Sequence, residues 1–322
     1  MPLKLSDLEI TTNLPLLPAS LPVFSLTAPT LDDRRASIVR LGEQLKLGAL
    51  RPVELDHGVV MASKLGDITF FHASGAVWAR DAAAMQGAAN ELRKWPGQVE
   101  TGEDGRRTAL NPDAAKKLIA QTRTLLEPLG LIGREVAFEG VQLDQVAQLD
   151  SKGTEIAHGA GQAAVKFQYA VEGLPVRGAG AKTMAFAEPV AGGARFSGVF
   201  HAWRTIGKAS PVKLTTIDEA LGVGVLTDPE LDTYRSAGHR IQITRLELVY
   251  LALPAFMRQS QLFPAFQVEG TVAEGPRGIS FHFGRFHHAV PPAAYAAADL
   301  YGPYLTVNPD GISGLAARQA FA

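Results

Sequence analysis

Val165, Phe167, Tyr169 and Val171 alternate with Lys166 and Gln168. Successive strand residues point to opposite faces, so a period of two demands a sheet with one buried and one wetter face. The same alternation runs through Leu262, Pro264, Phe266 and Val268, and through Ile279, Phe281 and Phe283. A doubly wound parallel sheet fits poorly, because helices do not alternate with single strands along the chain.

The chain has 322 residues, which is enough for two ordinary domains or one domain of repeated units. Its hydrophobic content of 46% excludes a disordered chain. Lys and Arg number 31 against 32 Asp and Glu, so the basic field needed for bulk nucleic-acid binding is missing. The chain has no Cys, which removes disulfides, thiolate metal sites and cysteine nucleophiles without fixing the compartment. No apolar run reaches the roughly 18 residues of a membrane-spanning helix. Asp7 and Glu9 interrupt the N-terminus, which does not read as a signal peptide. An exported form would have lost its signal.

Three passages share a helix-then-strands pattern. Residues 1–30 carry Pro2, Pro15, Pro18, Pro22 and Pro29 and read as an extended Pro-rich arm or tether. Over 31–107 comes a weaker first α+β unit. Thr30-Leu31-Asp32-Asp33 resembles a capping box, Ile38, Leu41 and Leu45 share a face, and Gly48 is the stop. Glu54–Ser63 and Ile68–Arg80 are strand-like, the second turning at Ser74-Gly75. Over 108–210 comes a second unit, with Asn111 as cap, Pro112 at the first helical position, and helical spacing from Ala115 to Leu129. Strands are expected over Val136–Leu149, Val165–Val171, Ala181–Ala187 and Ala194–Thr205, with a turn at Gly173-Leu174-Pro175-Val176. A third unit covers 211–290. Its short helix is capped by Thr215…Asp218 or Thr216…Glu219, and the parity change between Ile243 and Leu246 requires a bulge near Thr244-Arg245. Residues 291–322 read as a C-terminal cap. The expected fold class is α+β, each unit a helix packed on a curved antiparallel sheet.

Three segments carry a family likeness: Thr-Ile-Asp-Glu-Ala-Leu at 216–221, Leu246–Tyr250, and Leu262-Phe263-Pro264-Ala265-Phe266-Gln267-Val268-Glu269-Gly270. They resemble PepSY-type or propeptide-type modules. Phe167-Gln168-Tyr169 followed by Gly173-Leu174-Pro175-Val176 is similar to the hairpin of thermolysin-like propeptides, and the arrangement resembles regulators of the YycH and YycI type. Phe266 stands where Trp is usual. The resemblance covers about 108–285, with an echo over 31–80. It implies tandem cystatin-like units, an extracytoplasmic setting, and a role in inhibiting, chaperoning or sensing, with no catalytic residue to carry over.

Side chains that could carry chemistry are few. His282, His287 and His288 cluster without the spacing of a zinc signature, so they read as a sheet strand and the turn after it. His57, His72, His158, His201 and His239 are scattered. Ser74 lies two residues from His72, but no acid orients the imidazole and Ser-Gly suits a hairpin turn. Gly207-Lys208-Ala209-Ser210 and Gly178-Ala179-Gly180 fail as phosphate cradles and read as hairpin turns. Glu135/Glu139 and Asp228/Glu230 read as solvated carboxylates. Trp78, Trp95 and Trp203 are noted, Trp95 as an exposed loop residue before Pro96-Gly97.

No catalytic residue, metal ligand or cofactor is therefore assigned. The expectation is a non-enzymatic regulatory or binding protein that acts through a sheet surface or edge on a protein partner. The alternatives are an enzyme or small-ligand binder with a pocket between curved sheet and helix, and a structural subunit of a larger assembly.

Overall fold

A computed structural model describes residues 8–84, 91–101, 107–223, 225, 228–273, 278, 280–291, 307–308 and 311–312. The expected cap over 291–322 lies outside them apart from Pro291 and the short strands Val307–Asn308 and Gly311–Ile312. Ile279, Gly224 and the first seven residues of the arm lie outside them too.

In chain order the elements are β1 (Leu8–Ile10), β2 (Ser20–Thr27), α1 (Leu31–Gln44), β3 (Arg51–Leu55), β4 (Gly58–Ala62), β5 (Gly66–Phe71), β6 (Ala76–Asp81), β7 (Gln98–Thr101) and β8 (Arg107–Leu110). Then come α2 (Pro112–Leu126), β9 (Val136–Leu149), β10 (Glu155–Val171), β11 (Leu174–Arg177), β12 (Lys182–Val190), β13 (Gly193–Ala202) and β14 (Thr205–Lys213). The last are α3 (Ile217–Val223), α4 (Pro229–Ser236), β15 (Arg240–Leu251), β16 (Gln261–Ala273) and β17 (Phe281–His288).

The tandem cystatin-like α+β arrangement is not the fold. The protein is mostly sheet, 52% strand against 19% helix, and the helices do not each have a sheet of their own. Strands pair across long sequence separations, which local periodicity does not report. β6 pairs with β13, and β2 pairs with both β14 and β16. Two compact units result. One comprises Met1–Thr27, Val171–Gly180 and Thr205–Ala322, the other Ala28–Ala170 and Ala181–Arg204.

The Ala28–Arg204 unit is an antiparallel sheet in the order β9-β10-β12-β13-β6-β5-β4-β3. Both α1 and α2 pack on one face of it. Ile38 and Leu41 from α1, and Leu118 and Leu126 from α2, share a buried cluster with Ile68, Phe70, Val77, Val165, Phe167, Ala185 and Val199. Local chemistry sets the helix ends as expected. Thr30 and Asp33 form a reciprocal capping box, and the Asn111 side chain accepts from Ala114 N with Pro112 behind it. Phe167 and Tyr169 are buried, and Lys166 and Gln168 lie half-buried on the other face, so the alternation gives the face of each residue correctly.

In the other unit the β15–β16 hairpin is central. β1 and β11 run parallel to β15, while β2 and β17 flank β16, and β14 pairs with β2. The register slips between Ile243 and Arg245, where the bulge was expected. The Thr216…Glu219 capping box forms before α3. Leu221 and Leu231, from α3 and α4, join Ile241, Leu246, Leu248, Phe266 and Val268 in the core. Within the proline-rich stretch Leu8–Ile10 and Ser20–Thr27 are sheet strands, and Tyr250 Oη donates to the Pro22 carbonyl at 2.8 Å.

Candidate functional site

α1 and α2 lie on one face of the Ala28–Arg204 sheet, and neither covers the opposite face. One row of directly paired residues crosses it: Gly140, Lys166, Met184, Phe200, Trp78, Thr69, Val60 and Val53. Directly opposed residues in antiparallel strands put their side chains on the same face. Trp78 is the hub, edge-on to Phe200 at 5.1 Å between centroids and stacked on Phe186 at 6.4 Å. Trp78, Met184 and Phe186 are half-buried, and Phe138, in a neighbouring row, is 58% exposed. Lys182 holds its ammonium 5.9 Å from the Phe200 ring, and Lys166 donates to Gln142. The face is aromatic, with lysines beside it.

The helix-covered face carries a buried polar chain. Thr183 and His201 are cross-strand neighbours on β12 and β13, in the row that also holds Phe167, Val77 and Phe70. Arg34, on α1, donates from Nη2 to His201 Nε2 at 3.0 Å. His201 must therefore carry its proton on Nδ1, which donates to Thr183 Oγ1 at 2.8 Å. Thr183 in turn donates to the Leu131 carbonyl at 3.1 Å, and Tyr169 Oη donates to Thr183 at 2.6 Å. Burial, and then the charge of Arg34, push the His201 pKa down to about 3, so the ring is neutral. Burial pushes the Tyr169 hydroxyl up to about 12. The Tyr169 ring lies parallel to Trp203, 4.2 Å apart and 10° from coplanar. The sequence marked neither Arg34 nor the role of His201. The available signal was parity, since His201 shares the buried face of Val199.

In the other unit, the Asp228/Glu230 pair is not a solvated face. Asp228 caps α4 through Oδ1 and accepts from Arg285 Nε through Oδ2 at 2.6 Å, with its side chain 8% exposed. Arg285 Nη2 reaches Glu230 at 2.8 Å. The Asp228-Pro229 dipeptide is the helix-start signature that would have revealed α4.

The remaining candidates separate. His287 and His288 are consecutive on β17 and face opposite sides of the sheet, and exposed His282 bonds Thr271. Burial pushes both His287 and His288 down to about 4. No group of three potential metal ligands converges among the described residues. Ser74 Oγ accepts from Ala76 N, while exposed His72 lies 4.0 Å from Glu54, so the two form no dyad. Glu139 pairs with Arg123 at 2.7 Å, and both Glu135 and Glu139 are exposed as expected. Gly207–Ser210 is not a turn but part of β14. Gly178 does sit in a turn, at φ +98°, where an added Cβ would meet the Ala252 carbonyl oxygen at 2.2 Å. Trp95 is buried, its Nε1 donating to the Gly161 carbonyl at 2.9 Å, contrary to the exposed loop residue expected.

Among the described residues no helix is long and apolar enough to cross a membrane. No known protein family matches the chain, and no curated protein does. Among solved structures, the chain is similar to the crystal structure, at 1.45 Å resolution, of an uncharacterized protein from Eubacterium rectale ATCC 33656. The two share 11% identity over 84% of this chain and 85% of that one, with a TM-score of 0.51. That likeness is one of fold.

Proposed function

We propose that the protein is a non-enzymatic binding protein with a regulatory role, and that it engages a protein partner through the face of the Ala28–Arg204 sheet opposite α1 and α2. The observation that carries this reading is the Trp78, Phe186 and Phe200 cluster on the sheet face opposite α1 and α2. Aromatic residues dominate the energetics of protein interfaces, and a neighbouring ring of polar groups excludes water around them. Met184 adds an adaptable apolar side chain, and the lysine stems of Lys166 and Lys182 extend the contact area. The separation of His72 from Ser74, and of His287 from His288, supports a role without catalysis. Between sheet and helices, Ile68, Phe70, Leu41, Leu126 and Phe167 are packed as core.

The test is site-specific photo-crosslinking. A photoreactive residue at Thr69 or Gln168, both on the face, should yield one adduct in cells of the source organism. The same residue at Val39, exposed on α1, should not yield it. With the captured protein purified, Trp78→Ala should weaken binding about 30-fold, the effect of losing an aromatic hot spot worth about 2 kcal/mol. An affinity unchanged by Trp78→Ala sinks the reading.

A further inference from the structure

Arg34, half-buried on α1, is held differently from Arg285 and Glu188, which are buried in ion pairs. Arg285 has Asp228 and Glu230, and buried Glu188 has Arg195 at 2.8 Å and Arg93 at 3.4 Å. Arg34 uses Nη2 on His201 and on the Trp203 carbonyl, both neutral. Its Nε is buried without a hydrogen-bond partner. Asp33, next in sequence, is exposed and turned away. Its Oδ2 accepts from Thr30 N at 2.7 Å and from Thr30 Oγ1 at 2.8 Å. Tyr169 remains a neutral phenol and supplies no negative charge. A half-buried guanidinium whose hydrogen bonds go to neutral groups and not to a carboxylate is a cost to the folded state. Local rules of this kind are broken where a function offsets the cost.

We propose that Arg34 is the recognition point for a carboxylate carried on an apolar or aromatic ligand. The guanidinium is a planar fork matched to a carboxylate, and it is held in orientation by His201, which Thr183 and the Leu131 carbonyl fix in turn. A single cation balances a single carboxylate and leaves a phosphate dianion half-neutralised. The stacked pair of Tyr169 and Trp203 sets a flat apolar body beside the charge. The site is on the helix-covered side of the sheet and is independent of the face proposed above.

The test is a titration with benzoate, read by tryptophan fluorescence and by thermal shift, with benzamide as the neutral isostere and inorganic phosphate as a second anion. Benzoate should bind saturably with a dissociation constant of about 1 mM, and benzamide and phosphate at least about tenfold more weakly. Trp203→Phe should remove the fluorescence response and keep the thermal one. Arg34→Gln should weaken benzoate at least about tenfold. Arg34→Lys, which keeps the charge and loses the fork, should also weaken it, and it decides the matter if the glutamine variant does not fold. The proposal is overturned if benzoate gives no saturable response, if benzamide or phosphate binds as well, or if the folded Arg34 variants bind benzoate as the native protein does.

Discussion

His201 shows how one residue's surroundings fix its protonation and, through it, the response of the whole protein to acid. The ring is neutral when folded because burial disfavours the imidazolium and Arg34 adds a neighbouring positive charge. Unfolded, it titrates near its ordinary value of about 6.5. Between that value and the folded pKa of about 3, the unfolded state binds more protons than the folded one. The contribution is thus fully present above about pH 6.5 and is lost as pH falls toward 3. His287 and His288, both pushed down to about 4, act in the same direction. Denaturation midpoints should be level from about pH 7 to 8 and fall below about 6.5. In His201→Gln the fall should be shallower, because one of the buried groups that must charge has been removed. Equal slopes in the two proteins would show that His201 does not titrate on unfolding in this way. Parity alone placed the residue on the buried face, but its partner Arg34 comes from a helix 167 positions away, and no local pattern reveals that distance.

At the scale of elements, most of what was legible had a local cause. The capping boxes at Thr30 and Thr216, the Asn111-Pro112 start and the bulge after Ile243 all follow from groups a few residues apart. α4 was missed for the opposite reason. Its Asp228 and Glu230 read locally as a solvated carboxylate pair, and the cation that organises them, Arg285, arrives from β17. This arrangement makes a graded prediction. Arg285→Ala strands the buried Asp228 carboxylate, which should cost about 3–5 kcal/mol, as for any buried pair that loses one partner. Glu230→Gln touches the same guanidinium from a side chain that is 58% exposed, and should cost less than about 1 kcal/mol. Urea titrations of the two variants make the comparison. Equal costs would mean that Asp228 is solvated in solution.

For the whole molecule, the order of elements along the chain misled because the sheets are not assembled in that order. Each passage does read helix, strand, strand, and Val165–Val171 has the expected faces, but the run from Leu262 to Val268 is buried on both faces where one wetter face was expected. Which strand lies beside which is decided by non-local pairing, and one passage cannot encode that. β13 takes β6 as its neighbour, so residues 198–201 complete a sheet begun at 77–80. A segment cut at 108–210, the expected second unit, would lose α1 and β3 to β6. It would expose Val199 and Phe167 on one face and leave β13 as a bare edge. Unpaired edges and uncovered apolar faces drive association rather than folding. A segment of 28–204 keeps α1, α2, all eight strands of the sheet and the buried polar chain from Arg34 to Leu131. It should therefore unfold in urea as a single cooperative transition, followed by tryptophan fluorescence and far-ultraviolet circular dichroism with coincident midpoints. The 108–210 segment should show no such transition. Cooperative unfolding of 108–210 with the stability of the longer segment would mean that the β6–β13 pairing contributes nothing to the fold.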